Sequence, residues 1–287
     1  MSAKVETPTI TTSLGSSWSL WLRQILAILR LEVQKNFLSR RSFLIYLITL
    51  LPLFPLLIIA LLRPPGNEWR DFNNYSAGYA LLYNILIMRT VVFFGCAWIF
   101  MNLFRGEIVD RSLHYYFLSA VRREVLVVGK YIAGLITSLF LFVGLTIIAM
   151  LLLYFPRFPS QSARYFVEGQ GMIQLLTYSG ITILACIGYG AFFLVVGLFV
   201  RNPIIPALLL YGWEWLNFLL PPLLKKISVI HYLNSLVPLP MKEGPFAVVA
   251  DPTPAWIAVP SLVIVTAIVL AISAYRIRRM EIRYGSD

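Results

Sequence analysis

The chain has 287 residues, 59% of them hydrophobic and 13% charged, with a mean hydropathy of +0.78. A soluble domain of this length could not bury so much apolar side chain, so the composition excludes a soluble enzyme or binding module and points to a polytopic membrane protein. The net charge of +11 does not mark a nucleic-acid binder, because the cations are sorted by position along the chain rather than gathered in one basic tract.

Residues 1–17 are rich in Ser and Thr, carry no apolar period and read as a flexible tail. Residues 18–41 follow as an amphipathic helix. Trp18, Trp21, Leu22, Ile25, Leu26, Ile28, Leu29 and Val33 share one face, Arg23, Arg30, Gln34 and Lys35 lie opposite, and Leu20, Leu31 and Glu32 break the pattern. A basic amphipathic helix with Trp on its apolar face is expected to lie in a membrane interface. Residues 42–277 form the transmembrane domain, and 278–287 a polar tail.

A bilayer core of about 30 Å needs roughly 20 helical residues per crossing. On that basis the domain is all-α with six spans, at about 43–62, 78–103, 125–155, 171–200, 203–222 and 256–275. The third and fourth exceed one crossing and are expected to tilt or protrude. The first run lies too far into the chain for a cleavable signal and lacks a small-residue cleavage site, so it is expected to stay in the membrane. The connections after spans one and three are short, and the one over 223–255 is long enough for a short helix on or dipping into the membrane. Cys96 and Cys186 fall inside spans and read as small buried hydrophobes. Sixteen of the 24 Lys and Arg flank the spans on one side and seven on the other, with Arg89 inside span two. The positive-inside rule then puts both termini in the cytoplasm of a multi-pass plasma (inner) membrane protein.

Between spans two and three lies "FRGEIVDRSLHYYFLSAVRREVLVVGK", residues 104–130. It is charged, yet it contains no Pro. On a helical wheel Glu107, Asp110, Arg111 and His114 share an arc of about 100°, with aromatic and aliphatic residues opposite. This spacing predicts a short amphipathic helix, either an anchor between two spans or an element that docks a soluble partner.

The same run resembles the cytoplasmic signature of ABC-2 type transporter permeases: an acid after the second span, a Gly-Thr-Leu-like triplet, a Leu-rich stretch, a Pro-x-Ser-Arg-like turn and a Gly-Lys opening the third span. Here these are Glu107, Arg111-Ser112-Leu113, Phe117-Leu118-Ser119, Ala120-Val121-Arg122-Arg123 and Gly129-Lys130, with Arg111 in place of Gly and Ala120 in place of Pro. The resemblance implies the permease subunit of an ATP-driven exporter. In it Glu107, Asp110, Arg111 and His114 form a coupling helix docked on a separate ABC ATPase, and a second permease, an identical copy or a paralogue, completes the path. ATP and Mg would belong to the ATPase and this chain would hold no cofactor of its own. In agreement, no P-loop is present: "EVLVVGKY" has Glu124 where the first Gly is needed and Tyr131 where Ser or Thr is needed.

Two other classes remain at this point. A secondary transporter, or another polytopic protein not driven by ATP, would share the spans but leave the 104–130 helix unexplained. An intramembrane enzyme would need convergent catalytic groups, and no HExxH, GxSxG or paired-Asp motif occurs. Arg89 and Glu214 are the formal charges placed near mid-membrane. Such groups usually face the bundle interior and find a partner, so the two are expected to face one another beside the transport path or the permease interface. Tyr211 and Asn217, on the helical face of Glu214, would complete that cluster.

Overall fold

The computed structural model describes residues 16–39, 42–62, 76–109, 122–154, 159–239 and 251–278. Among them all regular secondary structure is helical. The first helix, α1 (Ser16–Leu38), precedes a pair, α2 (Ser42–Leu50) and α3 (Leu53–Leu62), that together form the apolar stretch Ser42–Leu62. The interruption falls at Leu51-Pro52, where the missing proline N–H removes a rung of the ladder. Next come α4 (Ser76–Val109), α5 (Arg123–Tyr154), α6 (Pro159–Val167) and α7 (Gly171–Phe199). After them lie α8 (Ile204–Trp215), the short α9 (Pro222–Lys225), α10 (Val229–Ser235) and α11 (Ala255–Arg278).

Among the described residues five stretches are long and apolar enough to cross a membrane: Ser42–Leu62, α4, α5, α7 and α11. The span expected at 203–222 is shorter. Helix α8 runs on through one tighter turn, Leu216–Leu219, to give the 16-residue apolar helix Ile204–Leu219. At about 1.5 Å per residue it covers about 24 Å, less than a hydrocarbon core of about 30 Å. It stops because Leu220 and Pro221 are extended, as the residue before a proline tends to be. The segment after it folds back, and α10 packs against α7 and α11 with Ile230 and Leu233 fully buried. The short helix expected in the 223–255 connection is therefore present, and it belongs to the bundle.

The centre of the bundle is α4 packed against α5 and α7. Small residues set how closely these helices approach. The Phe100 ring is clasped between Gly134 of α5 and Gly190 of α7, where an added Cβ would lie 2.7 Å and 2.5 Å from the ring. Gly197 is more demanding, because a Cβ there would come within 2.6 Å of the Met101 backbone. Close backbone approach of this kind is how membrane helices gain packing without a hydrophobic driving force between them.

Helix α1 lies along α5, with Ile28 against Gly129. Its expected apolar face is divided. Ile28 is buried and Trp21, Ile25, Leu29 and Val33 are half-buried, whereas Leu22 and Leu26 are 59% and 62% exposed. Glu32, which breaks the pattern on the wheel, stands one turn beyond Ile28 and is buried with it. The cause is an ionic partner on α5.

Candidate functional site

Among the described residues, two polar clusters in the bundle are built around the buried charges Lys130 and Glu214. The first lies where α4 ends and α5 begins. Lys130 is fully buried on α5, and its Nζ donates to Glu107 Oε1 (2.7 Å), to the Leu103 carbonyl (2.8 Å) and to Glu32 Oε1 of α1. The ammonium also lies 5.3 Å from the centre of the Phe104 ring. Lys35, one turn after Glu32 and partly exposed, stands 3.6 Å from Glu107. Two carboxylates and two ammonium groups thus balance within the cluster. Burying them separately would cost several kcal/mol per ion, and the mutual pairing offsets that cost. The cluster ties three helices together: α1, the last turns of α4 and the first turns of α5.

The second cluster is built on α4 and on the chain from α8 to α10. From Tyr83 to Val92, α4 is a π-helix. The wider turn brings residues five apart together, so Arg89 Nε donates to Asn84 Oδ1 (3.1 Å) and the Thr90 hydroxyl donates to the Ile85 carbonyl (3.0 Å). Such π-helical stretches are rare and concentrate at functional sites. Asn84 Nδ2 in turn donates to Asn234 Oδ1 of α10 (2.9 Å). The Arg89 guanidinium lies over the Trp215 ring, 5.7 Å from its centre.

Glu214, beside Trp215 in the chain, is 4% exposed. Its carboxylate accepts the backbone N–H groups of Val229 (3.1 Å) and Ile230 (2.8 Å), the first residues of α10. It also accepts the hydroxyls of Ser228 (2.8 Å) and Tyr189 (3.3 Å). The negative charge therefore stands at the N-terminus of α10, satisfying backbone donors that have no partner within the helix.

For Arg89 and Glu214, expected from the sequence to face one another, the structure gives the following immediate partners. Arg89 contacts Asn84 and Trp215, while Glu214 is engaged with α10 and Tyr189. Tyr211 does not complete a polar group with Glu214. Its ring packs on Phe93 and Phe94. Asn217 is buried, and its Nδ2 has no hydrogen-bond partner among the described residues. Of the residues expected on an exposed coupling helix, Glu107 is 1% exposed and bound to Lys130 rather than displayed on the surface of this chain. Asp110, Arg111 and His114 lie outside the described residues.

Asn84, Tyr189, Ser228 and Asn234 were not singled out in the sequence. Asn84 had a signal, being a polar residue near Arg89 in an apolar run, but the five-residue spacing matches no α-helical face. Among the described residues no group of His, Cys, Asp and Glu is placed to hold a metal ion. Comparison with models of known protein families, with characterised proteins and with solved structures finds no match to this chain.

Proposed function

We propose that this chain is the permease subunit of an ATP-driven exporter of the ABC-2 type. In this reading it sits in the plasma (inner) membrane with six crossings and cytoplasmic termini, works with a second copy or a paralogue, and takes its energy from a separate ABC ATPase that holds ATP and Mg. The observation that carries the reading is the bond between Glu107 and Lys130. These are the acid and the Gly-Lys lysine that bracket the stretch resembling such permeases, and Glu32 of α1 is bonded to the same ammonium. The two ends of the cytoplasmic segment and the interfacial helix thus form one mechanical unit. A push on Asp110, Arg111 and His114 by the ATPase would move α1, α4 and α5 together, and α4 leads to the π-helix and Arg89. Glu107 acts inside this unit as the joint, and the docking surface consists of the residues that follow it.

One observation favours a secondary transporter as a second reading. The chain from α8 to α10 is interrupted at Leu220-Pro221, and discontinuous helices are common at the substrate sites of such proteins. Purification of the tagged chain in mild detergent from cells that make it, with identification of what is retained, separates the two. The permease reading expects a soluble chain carrying both a P-loop and an ABC signature. Retention of no such chain, with transport persisting after ATP depletion while an ion gradient is maintained, would favour the secondary transporter.

A further inference from the structure

A pocket of about 360 Å³ opens where α1, α2 and α4 meet, lined among others by Glu32, Lys35 and Asn36 of α1, Ser42 of α2 and Asn102 of α4. Both signs of charge line it. Glu32 is 2% exposed and bonds Lys130 through Oε1, and among the described residues its Oε2 accepts no hydrogen bond. The Lys35 side chain is 43% exposed, and Glu107 stands 3.6 Å from its ammonium, beyond hydrogen-bond distance. Asn36 uses one amide N–H on the Thr137 hydroxyl (3.4 Å), and Asn102 uses one on the Trp98 carbonyl (2.7 Å). Each keeps a second N–H and a side-chain carbonyl oxygen for a ligand. Ser42 opens the apolar stretch Ser42–Leu62, and beside it Phe43, Leu44 and Leu47 are exposed. A polar pocket and an apolar flank thus adjoin where a span begins, at the depth of lipid headgroups.

We propose that this pocket holds the headgroup of an ethanolamine phospholipid. Glu32 and Glu107 are already balanced by Lys35 and Lys130, so a head that carries both signs leaves the group neutral, whereas an anionic or a cationic head leaves a charge in excess. A primary ammonium brings N–H donors to Glu32 Oε2 and to the amide oxygens. A phosphate brings acceptors to Lys35 and to the remaining amide N–H groups. A choline head carries both signs but has no N–H to donate. The pocket is near the small end of ligand sites, about 300–1,000 Å³, so it takes a headgroup and leaves the acyl chains to the exposed face of α2. The Lys and Arg on this flank of the spans attract anionic lipid diffusely, but that attraction makes no use of Glu32. The proposal is independent of what drives the chain.

The test is native mass spectrometry of the intact chain, released from detergent after equilibration with an equimolar mixture of phosphatidylethanolamine, phosphatidylcholine and phosphatidylglycerol bearing the same acyl chains. The ethanolamine lipid should be retained with about tenfold preference over either competitor, the size of one charge-assisted hydrogen bond. Asn102→Leu, which removes a pocket amide and leaves the ion pairs whole, should abolish the preference, and so should Lys35→Gln. Soluble phosphoethanolamine at the same concentration should not displace the lipid. Equal or better retention of either competitor by the wild type overturns the proposal without any variant having to fold. A preference that persists in both variants also overturns it, because the lipid is then held elsewhere. Displacement by phosphoethanolamine overturns the choice of a lipid over a soluble ligand.

Discussion

Lys130 and Glu107, 23 residues apart in sequence, are joined inside the protein by a 2.7 Å ion pair that leaves the lysine fully buried and the glutamate 1% exposed. The lysine opens α5 and the glutamate closes α4, so the polar segment between them starts and ends at one point of the bundle. Glu32 brings α1 to the same point.

Removing the lysine leaves two buried carboxylates to the partly exposed Lys35, 3.6 Å from Glu107. Lys130→Met should therefore lower stability by about 3–5 kcal/mol, the cost of breaking a buried pair from one side. Adding Glu107→Gln or Glu32→Gln should recover part of that loss, because the neutral amide no longer needs the cation. Thermal unfolding in detergent, with the yield of folded protein, gives the cycle. Losses that simply add would show that the three groups are not coupled.

Gly197 and Gly180 lie on the same helix and make opposite demands. A Cβ at Gly197 would meet the Met101 backbone at 2.6 Å, and backbone cannot swing aside, whereas a Cβ at Gly180 meets nothing within 4 Å. Gly197→Ala should destabilise by about 1–3 kcal/mol through overpacking, while Gly180→Ala should be neutral or slightly stabilising. Melting temperatures of the two variants in the same detergent check this. Equal effects would contradict the close approach of α4 and α7.

Whether Ile204–Leu219 crosses the membrane decides the sidedness of the chain. Asn202 and Lys226 flank it and are exposed, while the native thiols Cys96 and Cys186 are buried, so an introduced cysteine is the reactive one. With an impermeant maleimide on intact cells, Lys226→Cys should label directly and Asn202→Cys only after permeabilisation, as should Arg30→Cys on α1. Labelling of positions 202 and 226 from the same side would leave five crossings and put the two ends of the chain on opposite sides.

The long apolar helices were legible in the sequence because each is a run near the length of a bilayer crossing, and α1 because its apolar residues recur at helical spacing. What the sequence hid was every partner at long range. Glu32 breaks the amphipathic pattern of α1 only until Lys130, 98 residues away, is placed beside it. Glu107 falls on a polar arc of the wheel, yet the end of α4 turns it inward, since a wheel drawn on one helix carries no information about its neighbours. The π-helix left no mark either: "YNILIMRTVV" contains neither Gly nor Pro. Its signature is the pairing of Asn84 with Arg89 at a spacing of five, which becomes meaningful only once the wider turn is known. Arg89 and Glu214 stand out in the sequence because two charges in apolar helices must both be solvated by protein. That Glu214 would serve the backbone of α10 depends on the chain reversal after Leu219, which the prolines 221 and 222 announce without giving its direction.

The central claim is that a separate ATPase drives this chain, and the most direct measurement is ATP hydrolysis by the complex retained on the tagged protein in nanodiscs. The account predicts hydrolysis that is sensitive to vanadate, is absent from this chain alone and is abolished when the P-loop lysine of the retained partner is replaced. A purified chain that holds no nucleotide-hydrolysing partner after mild extraction, in nanodiscs of its native lipids, would contradict it.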